Sequence, residues 1–396
     1  MWSSDFVSSQ PLGLQLTIAY CGNFLQGEDT TYRQAIAARM TPHDWHDFLF
    51  WVKRHKLASI VASDEIMVTD NCLPQFVANE IVQIRQASAV KALAVFRETL
   101  TIQTLLDEHQ VSCAFVKGVV LSQQLFGDCT MRETNDVDLF VPRDQIDAAE
   151  ITLLNAGYRQ ITPMQPLTKR QRESFLYFGR HLIYCHPHNQ AHIELHWQFG
   201  GNPHCVPDID LIEMLKQVAT VEVYGYPIKT FSSIDTFLFL LIHGWLHHWA
   251  EIKWLFDIAI LISQLSEKVF VTLHARAINL GLERAFASTL ALLRTVFGNF
   301  LPAWLNKYTT KSAGWLVRQS LSVICQRDIS YLEKPRQRLI ATLLETQLQR
   351  SLRYKLFHLY RLNFSTDDWY QFPLPDQLFP LYVLLHPLLW VRQRFS

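Results

Sequence analysis

The sequence predicts an α+β protein, a mixed-sheet core flanked by N-terminal and C-terminal helical regions. Three observations predict it. Apolar residues recur at helical spacing up to about residue 110 and again from residue 232, whereas residues 111–231 carry short apolar or alternating runs bounded by Gly, Pro, Asn and Asp. With 49% hydrophobic residues, the 396-residue chain has ample apolar surface for a buried core, which excludes a disordered one. No solenoid-type repeat or low-complexity tract interrupts the pattern. The expected organisation is a helical region over 1–110, an α/β core over 111–231 and a helical region over 232–396.

From Thr31 to about Met67 the helical spacing is carried by Ala35, Phe48, Leu49, Val52 and Leu57. Pro74 then opens a long helical stretch to about Gln110, since proline suits the start of a helix and breaks its interior. The run Cys113-Ala114-Phe115-Val116, ended by Lys117-Gly118 and followed by Val119 to Phe126, predicts strand, tight turn, helix. Gly127 and Asp128 break that helix, and Asp136 to Val141 alternates as a strand ended by Pro142. A helix is expected from Arg143 to Asn155, closed by Gly157. His181–Cys185 and His192–Trp197 predict a hairpin around Pro187-His188-Asn189-Gln190, and Val221–Tyr224 with Pro227–Thr230 a second one around Gly225. Ser232 caps a return to helix, carried by Phe237, Leu240, Leu241, His243, Ile252, Leu255, Ile258 and Ile262 and continuing to about Tyr360. The apolar tail from Leu378 to Val391 contains Pro380, His386 and Pro387 and is too short to span a bilayer. It predicts a packed C-terminal helix or an extended lid, with a membrane-surface anchor as the other reading.

Lys plus Arg and Asp plus Glu each number 36, so no global field recruits nucleic acid or an acidic membrane, and there is no strong nucleic-acid signal. The seven cysteines are scattered without a C-x-x-C pair, which predicts free thiols in a reducing compartment. Met1-Trp2-Ser3-Ser4-Asp5 lacks the basic start and apolar run of a signal peptide, and no transmembrane segment is expected, so the expected location is the cytoplasm.

In a strand, alternate side chains share a face, so Asp136 and Asp138 project together, about 7 Å apart along the backbone. Two such carboxylates suit Mg²⁺ or Mn²⁺, hard cations held by one or two carboxylates plus a substrate's phosphates. A pair of ions about 4 Å apart activates an attacking oxygen and stabilises a leaving one, the arrangement of phosphoryl or nucleotidyl transfer. Glu194, which interrupts the strand-like run His192-Ile193-Glu194-Leu195-His196-Trp197, is the candidate third carboxylate, with His192 and His196 on its face. The Lys117-Gly118 turn opens a helix whose N–H groups can meet phosphate oxygens, and Lys117 adds a charge there.

At these positions the chain resembles the uncharacterised nucleotidyltransferase-like family of bacterial proteins, within the DNA polymerase β-type nucleotidyltransferase superfamily. The resemblance lies in Phe115-Val116-Lys117-Gly118-Val119-Val120-Leu121, in Arg132 before Asp136-Val137-Asp138-Leu139-Phe140-Val141, and in Glu194-Leu195-His196-Trp197. It continues in His243-Gly244-Trp245-Leu246-His247-His248-Trp249 and Lys253-Trp254-Leu255-Phe256-Asp257, covering roughly residues 90 to 300. It implies a metal-dependent transferase that moves a nucleoside monophosphate from an NTP to an acceptor, with Asp136, Asp138 and Glu194 as catalytic metal-binding carboxylates. It also implies that Lys117, Gly118 and Arg132 face the triphosphate. The chain departs from the wider superfamily in having Lys117-Gly118-Val119 where a Gly-Ser turn is usual.

His196, His243, His247, Trp249 and Lys253 are candidate substrate contacts; His243 and His247 share a helix face, and Lys253 and Asp257, four apart, also read as a helix ion pair. The cluster His181, His186, His188, His192, His196, His204 and Cys205 is rich in ligand atoms, but its spacing fits no tetrahedral metal site. The acceptor (small molecule, sugar phosphate or protein) and the oligomeric state are not specified by these residues. Two other readings stay open: a non-catalytic nucleotide-binding or protein-interaction module on a degenerate fold of the same type, and a helical scaffold in which Asp136 and Asp138 are surface charges.

Overall fold

The central segment forms a five-stranded sheet in the order β1-β2-β5-β4-β3, seen in a computed structural model that describes residues 5–26, 30–63, 72–206, 209–298, 303–308, 314–328 and 335–395. The strands are β1 (Ala114–Val116), β2 (Asp136–Phe140), β3 (Arg159–Thr162), β4 (His181–Cys185) and β5 (His192–His196). Strands β2 and β5 run parallel and the other neighbours antiparallel, so the sheet is mixed. A separate hairpin, β6 (Ala219–Val223) and β7 (Tyr226–Thr230), turns at Gly225. Helices precede and follow these strands, and the fold is α+β.

Local chemistry explains the helix boundaries. The long helix Gln75–Glu108 starts directly after Pro74, and the helix Ser233–Leu246 is capped by Ser232, whose hydroxyl accepts from the Asp235 N–H. The stretch expected to be helical from Thr31 splits into Thr31–Ala37, Pro42–Arg54 and Ala58–Val61, because Thr41 forms a capping box with Asp44 and restarts the helix at Pro42; Met67 lies outside the described residues. The segment after Pro142 begins with a 3₁₀ turn, Arg143–Gln145, before the helix Ile146–Asn155. The C-terminal tail is helical from Tyr382 to Phe395 and packs through Tyr382 and Leu389, while Leu384 and Leu388 face outward. No helix among the described residues is long and apolar enough to cross a membrane.

Elements that escaped the sequence pattern include β3, the helix Lys169–Phe178 and the short helix Leu211–Lys216. Strand β3 is an edge strand of alternating exposed and half-buried residues, with no apolar run to mark it. The helix Lys169–Phe178 is polar through most of its length and is set by a second capping box, Thr168 with Gln171.

Alternation along β2 divides the sheet between two cores. Val137 and Leu139 pack with Ile193 and Leu195 against the long helix, through Phe96 and Ile102. Phe140 faces the other way, into a core shared with Phe231, with Phe237, Phe239, Trp245 and Leu255 of the C-terminal region, and with Leu14 and Trp51 of the N-terminal region. Its ring meets Phe199, Phe231 and Phe239 at 5.4, 5.2 and 5.4 Å. Asp136 and Asp138 share the parity of Phe140, so they emerge where this sheet face meets the C-terminal helices.

Candidate functional site

At that junction lies a cavity of about 200 Å³, lined by Lys117, Arg132, Asp136, Asp138, Glu194, His196, His243, His247 and Lys253 together with Lys56, Asn135, Arg180, Phe239, Glu251 and Trp254. The parallel register of β2 and β5 sets Asp138 directly opposite Glu194, and Asp136 opposite His192. Three carboxylates thus open into one cavity. Asp138 is almost fully buried, at 4% exposure.

The cations around these carboxylates are unevenly assigned. Lys117 Nζ lies 2.5 Å from Asp138 Oδ1. His196 Nε2 sits 3.2 Å from both Asp138 Oδ1 and Glu194 Oε2. Asp136 has no side-chain hydrogen bond or ion pair among the described residues. Burial, and then repulsion from Asp138, raises the Asp136 pKa above the ordinary carboxylate value. Burial also acts upward on Asp138, but the Lys117 ammonium and the His196 hydrogen bond outweigh it and hold that carboxyl well below the usual range. Glu194 behaves alike, its burial outweighed chiefly by the hydrogen bond from His196. An uncompensated carboxylate beside two ionised ones, in one cavity, fits a divalent cation, for which hard oxygen donors are the usual ligands.

Lys117 occupies the turn between β1 and the helix Gly118–Phe126 with φ 54° and ψ −150°, a conformation rarely tolerated outside glycine. Gly118 follows at φ +47°, where a Cβ would come within 3.1 Å of Thr134 Oγ1. This double left-handed turn swings the lysine ammonium toward Asp138; Gly118 itself, expected at the triphosphate, is buried and does not line the cavity.

The opposite wall comes from the helices Ser233–Leu246 and Ile252–Gln264. The His243 and His247 rings lie 4.4 Å apart, and Trp254 meets them at 5.2 and 5.4 Å. Burial pushes His243 well below the ordinary imidazole pKa and His247 down to about 3, so both rings are neutral at pH 7. Lys253 Nζ donates to the Glu133 carbonyl at 3.3 Å and lies 3.5 Å from Glu251; burial, with Arg132 nearby, brings its pKa down to about 8.

Two expectations, Trp249 as a substrate contact and the Lys253–Asp257 ion pair, need correction, and Arg132 has a second commitment. Trp249 does not line the cavity: it is fully buried, folded back by positive φ at His248 and Trp249 so that its ring lies against Gly244. Arg132 lines the cavity, yet its Nε is committed to Asp257, at 3.2 and 3.0 Å from the two carboxylate oxygens. That bond takes Asp257 away from the expected Lys253 partner, so the helix ion pair is replaced by a buried one between the loop and the helix.

The sequence pattern missed Lys56, Arg180, Glu251 and Trp254. Lys56 comes from the N-terminal region and reaches Glu251 at 2.8 Å. Arg180 precedes β4 and lines the cavity without a side-chain partner among the described residues. Neither sits in a local motif; the only signal was Arg180 beside His181 at the mouth of a predicted hairpin. Of the histidine-rich cluster, His181 and His196 come together with Glu194 as a possible ligand group, while the His186 and His188 rings meet at 5.7 Å without a third ligand among the described residues.

Residues 41–298, well over half of the chain, match a family model described as "Uncharacterised nucleotidyltransferase". No curated protein matches the chain.

Proposed function

This chain belongs to the uncharacterised nucleotidyltransferase family, and we propose that it transfers a nucleoside monophosphate from an NTP to a hydroxyl, phosphate or amine of a separate acceptor. The observation that carries the reading is the register of Asp138 opposite Glu194, with Asp136 on the same face, in a cavity whose other walls supply Lys56, Lys117, Arg132, Arg180 and Lys253. In this reading Asp136, Asp138 and Glu194 hold Mg²⁺ or Mn²⁺, which when bound lowers the pKa of the acceptor and neutralises charge on the leaving pyrophosphate.

The rest falls to the chain's own residues. Lys117, in the turn before the helix Gly118–Phe126, binds the β- and γ-phosphate oxygens through its ammonium, and Arg180, unpaired among the described residues, adds a guanidinium. The acceptor oxygen or nitrogen bonds to the α-phosphorus as the bond to the bridging oxygen breaks. Pyrophosphate leaves with that electron pair, and a hydroxyl or amine acceptor passes its proton to solvent, whereas an ionised phosphate acceptor has none to lose. The neutral rings of His243, His247 and Trp254, inclined to one another by 47–85°, form an aromatic wall against which a nucleobase or an aromatic acceptor can pack edge-on or face-on. The balanced overall charge favours a small molecule, a sugar phosphate or a protein side chain over a long nucleic acid as acceptor.

The test pairs calorimetry, with each triphosphate and Mg²⁺, with a pyrophosphate-release assay. Asp136→Asn is expected to lower release by about 100-fold or more, the scale for removing a preorganised electrostatic group, while the fold is retained. A second reading, nucleotide binding without turnover, draws on the Lys117–Asp138 ion pair, which engages one of the carboxylates with a protein cation. Tight triphosphate binding with no pyrophosphate release from any NTP and acceptor extract favours that reading.

A further inference from the structure

We propose that His181, Glu194 and His196 form a cation seat with nitrogen ligands beside the Asp136–Asp138 pair, and that it selects a first-row transition-metal cation, from Mn²⁺ to Zn²⁺, over Mg²⁺. The inference rests on the nucleotidyl-transfer reading for what the cation is used for, and on the geometry alone for its binding.

The three residues come from neighbouring antiparallel strands, with His181 paired to His196 and Ile183 to Glu194 across β4 and β5. One ligand atom from each lies within 4.8 Å of the others. His196 Nε2 is 3.2 Å and His181 Nδ1 3.8 Å from the same oxygen, Glu194 Oε2. Donors bound to one ion at roughly 2.0–2.2 Å stand about 3–4 Å from each other, so these separations already match a shared ligand set.

Two features remain unexplained without a cation. The Nδ1 of His181 is shielded from water and has no hydrogen-bond partner among the described residues, although a carboxylate lies just beyond bonding distance. His196 Nε2 faces two carboxylate oxygens at equal distance, yet a ring nitrogen carries at most one hydrogen and cannot serve both well. A cation among these atoms satisfies the orphaned nitrogen and relieves the crowded one.

The set is also held rigidly. The His196 ring stacks on Phe140 at 5.1 Å and 20°, and His181 meets it edge-on at 5.0 Å, so both imidazoles are fixed before any ligand arrives. Preorganised imidazole favours Fe²⁺, Co²⁺ or Zn²⁺ and is accepted more weakly by Mn²⁺, whereas Mg²⁺ keeps to oxygen and water. The adjacent Asp136 and Asp138 supply only oxygen, so the cavity holds two seats of different softness.

The test uses the full chain, stripped of metal and without nucleotide, titrated with Mn²⁺ and read by pulsed electron paramagnetic resonance. Bound Mn²⁺ is expected to show imidazole ¹⁴N modulation, replaced by ¹⁵N coupling when the protein is made with ¹⁵N-histidine; this arm needs no substitution. His181→Ala is expected to weaken Mn²⁺ binding by about tenfold or more, the loss that even an outer partner's removal brings, with Mg²⁺ binding by calorimetry unchanged. Mn²⁺ bound with no nitrogen coupling, or no Mn²⁺ bound at all, overturns the inference. Absent nitrogen coupling alongside Asp136-dependent pyrophosphate release removes only this seat, whereas nitrogen coupling without release from any NTP keeps the seat and removes the transferase reading.

Discussion

The ammonium of Lys117 and the carboxylate of Asp138 meet at 2.5 Å, at 11% and 3% side-chain exposure. The lysine reaches there only by adopting a backbone conformation that costs a non-glycine residue about 1–3 kcal/mol. Such strain persists where the surrounding structure over-determines it. The ion pair keeps Asp138 charged and at the same time competes with any cation for it. Lys117→Met is therefore expected to raise Mn²⁺ affinity in the nucleotide-free protein by about tenfold or more, since removing a unit charge at this range outweighs that factor even at high effective dielectric. It should lower pyrophosphate release by about 100-fold through loss of the phosphate contact. Manganese titration and the release assay read the two effects separately. An unchanged or weaker Mn²⁺ affinity would show that the ammonium does not compete.

Arg132 and Asp257 join the loop before β2 to the helix Ile252–Gln264 through a buried pair, at 5% and 1% side-chain exposure. The Arg132 N–H of the main chain is also held, donating to Ser122 Oγ at 3.0 Å. Burial raises the Asp257 pKa, and Arg132 acts against that rise. Removing one partner leaves an uncompensated charge, so Asp257→Ala is expected to cost about 3–5 kcal/mol in urea unfolding. The double variant Arg132→Met, Asp257→Leu should recover most of that loss. If the double variant is no more stable than Asp257→Ala, the pair is not the source of the destabilisation.

Much of this scaffold was legible because its signals are local. The alternation of Asp136, Val137, Asp138, Leu139 and Phe140 needs only the two-residue period of a strand, and Pro74, Ser232 and Gly157 mark boundaries through their own backbone chemistry. Partner choice was not legible. Lys253 and Asp257 are four apart on one helix, but the i+4 rule sees only that helix, and a guanidinium arriving from residue 132 offers Asp257 the better partner. Lys56 and Arg180 enter the cavity from segments far away in sequence and carry no pattern of their own. Trp249 misled because it follows the helix that bears His243 and His247, while two residues with positive φ turn it back into the core.

The pH dependence of stability follows from buried neutral histidines. Burial holds His55, His181 and His247 at about 3 and His248 and His358 at about 4, against an ordinary 6.5. A group depressed in the folded state contributes stability that is present above its unfolded pKa and is lost as pH falls toward the folded value. Glu345, raised by burial to about 7, acts in the opposite direction: its contribution is present below about 4.5 and is lost as pH rises through about 7. Five groups outweigh one, and at about 1.4 kcal/mol per unit the metal-free protein should lose about 3 kcal/mol or more between pH 7 and pH 5. Urea midpoints across that range measure it, and a flat profile would show that these imidazoles are not excluded from protons.

Gly244 and Trp249 explain the glycine in the His-Gly-Trp run. A Cβ at position 244 would meet ring carbons of Trp249 at 2.3 Å, inside any real contact distance. The ring has nowhere to retreat, since Trp249 is fully buried and its neighbour Trp245 is tied by Nε1 to Thr289 at 2.9 Å. By propensity alone, Gly244→Ala should stabilise the helix Ser233–Leu246 by about 1 kcal/mol. The clash decides the sign instead: overpacking in a closed core costs roughly 1–3 kcal/mol, and here two aromatic rings must shift, so the upper end is expected. Adding Trp249→Leu opens the space, and the double variant should lose less than the sum of the single losses, a coupling that only contacting residues show. Because the same helix carries His243 to the cavity wall, Gly244→Ala should also weaken triphosphate binding, whereas equal binding with unchanged stability would mean that Trp249 is free to move aside.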